Sequence, residues 1–386
     1  MSIEIESKLP NVGTTIFTVM SAMAAQEGAI NLSQGFPDYN PPQGLVDALI
    51  EALRDGQHQY APMIGLPALR EQLAVTLRDR YARKLDMDTE ITVGPGATEA
   101  LYCAITALVR PGDEVIVFDP AYDSYAPAIE LAGAKPVHIP LISGSFGIDW
   151  QRLRDSINAR TRMLVINTPH NPTGSALGVD DLDQLAEALR DTDVMVLSDE
   201  VYEYLMFDGH QHCSVISHDE LFARSIAVFS FGKTFHATGW KTGYCVAPRQ
   251  IMVEIRKVHQ YVTFVANTAI QCALARFYAE DTAHLSGLAD FYQNKRDLFC
   301  AGLRNTRFTF TPSAGTYFQL VDYSALSDLP DTEFCNAITR RGVAAIPLSP
   351  FYADPPDQRL ARFCFAKNDE TLTQALELLA GFDRID

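Results

Sequence analysis

Residues 225–240 read Ser-Ile-Ala-Val-Phe-Ser-Phe-Gly-Lys-Thr-Phe-His-Ala-Thr-Gly-Trp, an apolar run that breaks at once into glycine and a single lysine. A short β-branched and aromatic run of this kind predicts a strand buried on both faces. Lys233 then stands in the turn at the strand's carboxyl end. Burying an ammonium is costly unless it is paired or neutralised, so a lysine at the mouth of a core strand is seldom there for stability. Alone, the segment also reads as a strand end with a surface lysine; its surroundings decide.

The same pattern recurs outward from this run. Short apolar runs at 114–118, 163–167, 194–198, 226–230 and 243–247 alternate with amphipathic helical stretches from about residue 45 to 270. They predict an α/β fold with a mostly parallel sheet between helices. Such sheets bind ligands at the carboxyl ends of their strands. Four runs end in polar punctuation, at Asp119-Pro120, Thr168-Pro169-His170-Asn171-Pro172, Asp199-Glu200 and Phe231-Gly232-Lys233, and these ends are expected to converge. Beyond residue 289, helices alternate with shorter strands at 317–321 and 362–366, which predicts a smaller α+β domain. The expected division is a large domain over 45–280 and a small one from 1–44 together with 281–386.

Composition narrows the function. A chain of 386 residues, 47% hydrophobic and 20% charged, buries a large core. Its 48 acidic residues against 31 basic ones leave a formal charge of −17, which repels nucleic acid and anionic membranes. The seven cysteines, at 103, 213, 245, 272, 300, 335 and 364, form no Cys-x-x-Cys pair. Reduced thiols in a cytoplasm, without a structural metal, are the expectation. His210 and His212 beside Cys213 follow an Asp-Gly turn and make no zinc spacing. Residues 1–10 lack the apolar core of a signal peptide, and no run is long enough to span a bilayer.

Chemistry concentrates at the strand ends. A lysine with a lowered pKa attacks carbonyl carbon, most commonly as a Schiff base with pyridoxal phosphate. That cofactor requires an anion facing its pyridine nitrogen and donors to its phenolate oxygen. Asp199 suits the first role, although a carboxylate there also reads as a helix cap. Asn171, fixed between prolines, and Tyr202 suit the second. Gly94-Pro95-Gly96-Ala97-Thr98-Glu99 follows a strand at 91–93 and opens a helix over 97–109, a ready phosphate cradle. Glu99 occupies the third glycine position of a dinucleotide fingerprint, which favours a single phosphate. Ser230 and Lys241 can complete the cradle, and Tyr122 can lay its ring on the cofactor, or serve as core. Arg362, in an apolar strand, calls for a carboxylate, either a substrate's or a structural partner's.

Together these motifs resemble the fold-type I, pyridoxal 5'-phosphate-dependent aminotransferases of class I/II, the branch with kynurenine and bacterial methionine aminotransferases. The resemblance runs from Asn31-Leu32-Ser33-Gln34-Gly35-Phe36-Pro37-Asp38 to Arg362-Phe363-Cys364-Phe365. It implies that Lys233 carries the Schiff base, Asp199 meets the pyridine nitrogen, and Asn171 and Tyr202 meet the phenolate oxygen. Tyr122 would stack on the ring, while Ala97, Thr98, Ser230 and Lys241 would bind the phosphate. Arg362 would take the α-carboxylate, and the backbone of Gly35 would approach the substrate. Tyr60 would reach the phosphate of a neighbouring subunit, implying a homodimer with shared sites. Many relatives carry arginine where Lys241 stands; lysine keeps the charge but loses the fork. Ile16, Phe17, Tyr60, Tyr122 and Phe264 are the expected apolar or aromatic lining around the substrate side chain. No second arginine stands ready for a dicarboxylate, so the expected donors are methionine and aromatic amino acids, with a 2-oxo acid as acceptor. β-Elimination from cysteine conjugates on the same scaffold and a catalytically idle cofactor-binding module are the alternatives. A nicotinamide dehydrogenase lacks its third glycine.

Overall fold

The computed structural model describes every residue except 1, 2, 4, 281, 282 and 386. Its main sheet contains β1 (Ile91–Gly94), β2 (Glu114–Asp119), β3 (Lys135–Pro140), β4 (Thr161–Asn167), β5 (Met195–Asp199), β6 (Ser225–Ser230) and β7 (Gly243–Val246). Their spatial order is β1-β7-β6-β5-β4-β2-β3. The four contacts from β3 to β6 are parallel. β7 runs antiparallel to both of its neighbours. The 243–247 run thus departs from the parallel pattern of the other runs. The reason is its connection: residues 231–242 make a tight return that sets Gly243 opposite Ser230, whereas a parallel strand needs a crossover.

Apolar side chains fill both faces of this sheet, as its strands' unbroken hydrophobicity requires. A further core combines Met20 and Leu32 with the segment Val201–Phe207 and with residues from 288 to 385. It includes a three-stranded antiparallel sheet in which β10 (Leu360–Cys364) lies between β8 (Phe318–Asp322) and β9 (Ile346–Pro347). The runs expected at 317–321 and 362–366 are therefore shifted, and Arg362 sits mid-strand, opposite Leu320 and Ile346.

Register places the site. Asn167 pairs with Asp199, Asp199 with Val228, Ser230 with Gly243, and Gly243 with Gly94. One sheet edge therefore collects the ends of β1, β4, β5 and β6. Helix α1 (Ile16–Glu27) packs on the C-terminal core, and α2 (Ala97–Leu108) starts against that sheet edge. A Cβ at Gly243 would lie 2.5 Å from the Phe229 carbonyl and 3.0 Å from the Ala97 nitrogen, so only glycine lets the start of α2 approach this closely. Among the described residues, no helix is long and apolar enough to cross a membrane.

Candidate active site

Lys233 projects from the short helix Phe231–Thr234 into a cavity of about 300 Å³. Its amine donates to the Tyr317 hydroxyl at 2.8 Å and to the Gly35 carbonyl at 3.2 Å. No carboxylate lies within ion-pair distance of it among the described residues. Burial favours the uncharged amine and lowers its pKa to about 8, which makes a proton acceptor available near neutrality.

Asp199 closes β5 and lines the same cavity. It is 4% exposed, accepts from the Tyr125 hydroxyl at 2.7 Å, and has its pKa raised to about 6, chiefly by burial. Asn167, one strand over, donates through its side chain to the Asp199 carbonyl at 2.8 Å and accepts from the Asn171 N–H at 2.7 Å. The amide at the end of β4 thus ties the two functional loops together.

At the other end of the cavity, Gly96 has φ 90° and leads into α2, whose first N–H groups have no intrahelical partners. Ala97, Thr98, Ser230 and Lys241 line this end together. Glu99 does not. Its carboxylate turns back to His259 at 2.6 Å and accepts from the Cys103 thiol at 3.1 Å. The helix start faces the cavity, but Glu99, at the third position of the fingerprint, faces α3 (Arg249–Val262), so its charge is not what favours a single phosphate there.

Arg362 is fully buried. Its guanidinium donates to the Asn171 side-chain oxygen at 2.6 Å and to the Ser33 carbonyl at 3.1 Å, and lies 3.9 Å over the Phe318 ring. Its Nε has no partner, and none of the ion pairs among the described residues involves it. Burial lowers its pKa to about 10, so it remains cationic. Among the described residues, no structural salt bridge accounts for this arginine.

Residues 27–379 match the family described as aminotransferase class I and II. The chain belongs to this family. It is 52% identical to a methionine aminotransferase of Escherichia coli, over 97% of each chain. A probable N-succinyldiaminopimelate aminotransferase of Mycobacterium tuberculosis is 38% identical, again over 97% of each. Kynurenine–oxoglutarate transaminase 1 of Homo sapiens is 33% identical over 92% of each. The solved structure of the Escherichia coli methionine aminotransferase superposes with a TM-score of 0.96 at 51% identity, covering 98% of this chain and 100% of that one.

Aminotransferases of this family use pyridoxal 5'-phosphate, and the cavity suits it. A buried amine, a buried carboxylate without a cationic partner among the described residues, and a helix start backed by glycine are set around one space, each matching a different part of the cofactor. Arg362 lines the same space and has no carboxylate partner among the described residues.

Of the residues picked out in the aminotransferase sequence, Phe17, Gly35, Ala97, Thr98, Tyr122, Asn171, Asp199, Tyr202, Ser230, Lys233, Lys241 and Arg362 line this one cavity. Ile16, Tyr60 and Phe264 do not. Ile16 begins α1 and packs on the C-terminal core. Tyr60 and Phe264 meet edge to face at 5.4 Å on the surface, 81% and 41% exposed. Of the residues expected around the substrate side chain, Phe17 and Tyr122 thus line the cavity of a single chain, and Ile16, Tyr60 and Phe264 stand away from it. The sequence reading missed Gln34, Asn167, Phe318, Tyr125 and Tyr317. Asn167 carries the same signal as Asp199, a polar residue ending an apolar run; the tyrosines carry none, since buried tyrosine is usually core.

Proposed function

We propose that this aminotransferase moves the amino group of an apolar or aromatic L-amino acid, methionine favoured, to a 2-oxo acid by ping-pong exchange. The carrying observation is the buried, carboxylate-free Arg362 across one cavity from the buried amine of Lys233, which orients an amino acid with its Cα toward that amine. The relatives' activities support the donor class. So does the lining: Lys233, Lys241 and Arg362 are its only cations among the described residues, which leaves none for a side-chain carboxylate.

Bound pyridoxal phosphate supplies the electron sink that makes the substrate Cα proton acidic. The chain supplies the rest. Ala97, Thr98, Ser230 and Lys241 would hold the phosphate, Tyr122 would cover the ring, and Asp199 would keep the ring nitrogen protonated. Asn171 accepts from Arg362 through its oxygen, which turns its NH₂ the other way as a donor; Tyr202 is the second donor to the phenolate. Lys233 would anchor the cofactor at rest, and its freed amine would take the proton from the substrate Cα and give it back two atoms along, on the cofactor's carbon. Arg362 grips the α-carboxylate in both half-reactions. The enzyme works as a homodimer in which Tyr60 reaches the partner's phosphate site. Exposed Tyr60, Tyr261, Val262 and Phe264 are the apolar surface that a second copy would cover. Seven cysteines without a disulfide suit a reducing cytoplasm.

The test is the absorbance of the purified holoenzyme before and after methionine. A loss of the band near ~420 nm with a rise near ~330 nm reports the first half-reaction. Aspartate turned over as fast as methionine would sink the donor class.

A further inference from the structure

We propose that Tyr317 is a positioning residue that aims the Lys233 amine during proton transfer; this rests on the aminotransferase reading above. Tyr317 is fully buried, and its hydroxyl accepts from the Lys233 amine at 2.8 Å while donating to the Gly35 carbonyl at 2.6 Å. The same carbonyl lies 3.2 Å from the amine. Two acceptors, one before β8 and one in the N-terminal segment, therefore engage two of the amine's hydrogens. The third direction faces the cavity. In the neutral amine it is the lone pair; in the ammonium it is the third N–H. Burial keeps Tyr317 a phenol, so its hydroxyl keeps its proton and donates it to the Gly35 carbonyl while its oxygen stays an acceptor.

The backbone behind Tyr317 is strained. Thr316, β-branched and fully buried, has φ 67°, a conformation such residues rarely adopt. Its N–H bonds the Leu205 carbonyl at 3.0 Å, and its hydroxyl accepts from the Phe318 N–H at 3.1 Å. Strain of this kind persists where surrounding contacts over-determine it, commonly at functional sites. On the other side, a Cβ at Gly35 would lie 2.8 Å from the Phe318 ring, so glycine is what lets this carbonyl reach the hydroxyl. The step served is simple. The Cα–H bond of the bound amino acid breaks, its electron pair stays on the carbon side, and the proton becomes the third N–H bond of Lys233. Held by two acceptors, the amine presents that bond along one line in both directions.

Tyr317→Phe keeps the ring and removes the hydroxyl. With methionine and Cα-deuterated methionine, the holoenzyme variant is expected to lose about 10- to 100-fold in kcat, the scale of a misplaced reacting group. KM should stay within about 3-fold, and the deuterium isotope effect on kcat should rise as proton transfer becomes rate-limiting. Cofactor affinity and the absorption maximum of the resting enzyme should be unchanged. A kcat near the wild-type value, a loss without a rise in isotope effect, or a loss explained by weakened cofactor binding would each overturn the proposal. If Tyr317→Phe does not fold, Thr316→Gly keeps the hydroxyl but frees the backbone that aims it. Its isotope effect rises if aim matters and stays at the wild-type value if it does not. The wild-type control separates the two readings: failure to use methionine counts against the donor class alone. The variant is then compared on whichever of phenylalanine or aspartate the wild type turns over.

Discussion

Lys233→Ala removes the anchor and the base together, and turnover should fall about 10⁴-fold with loss of the cofactor band near ~420 nm. A visible-range spectrum and a steady-state assay check this. Arg362→Lys keeps the charge but loses the fork, so KM for the amino acid should rise about 10- to 100-fold, as expected for charge-assisted hydrogen bonds. Asp199 carries a pH signature. Its folded-state pKa is about 6 against an ordinary 3.8, because burial disfavours the carboxylate. A raised pKa contributes stability that is fully present below 3.8 and lost as pH rises through about 6. Cofactor-free Asp199→Asn should therefore be more stable than wild type above that window, by up to about 3 kcal/mol, with the gap closing toward pH 4. Thermal melts across pH measure it; a pH-independent gap would refute it. Lys233 and Asp199 were legible because charges at the ends of apolar strands need a reason. Tyr125 and Tyr317 were not, because a tyrosine's sequence neighbours do not reveal which buried group its hydroxyl meets.

Elements set the distances that side chains then use. Gly243 begins β7 and lets α2 start against the sheet edge, so Gly243→Ala must push that start outward. Overpacking of this kind costs about 1–3 kcal/mol. Here the loss should appear in cofactor affinity as well as in stability, since Ala97 and Thr98 move with the helix start; parallel measurement of cofactor Kd and Tm tests it. The apolar runs announced six of the seven strands of the main sheet to within a residue or two, because burial on both faces leaves no polar position to blur them, whereas the half-exposed edge strand β3, Lys-Pro-Val-His-Ile-Pro, was missed. The reversed direction of β7 was not legible, since an apolar run looks the same read from either edge. Glu99 shows the same limit: its place in a motif was visible, but its turn toward His259 depended on a helix more than a hundred residues away.

At the scale of the whole molecule, the cavity draws its lining from distant stretches of the chain. Arg362 and Phe318 come from the three-stranded sheet, Asp199 and Lys233 from the ends of main-sheet strands, and Gly35 from the N-terminal segment. If Tyr60 completes the partner's site, then Lys233→Ala and Tyr60→Ala, each impaired alone, should complement when coexpressed. Mixed dimers would carry one intact site, restoring about a quarter of wild-type activity. No recovery in the mixed population would argue that each chain's site is complete by itself. The sequence alone determined the class of fold, from the periodicity of its apolar runs, and, through the resemblance its motifs carry, the cofactor; it also drew attention to charges in apolar surroundings, which are local signals. Only the tertiary structure decided that Arg362 has no carboxylate partner, that Ile16 and Phe264 stand away from the cavity, and that Tyr317 meets Lys233. Those facts depend on which distant surfaces pack together, and packing is set by the summed burial of the whole chain rather than by any one stretch of it.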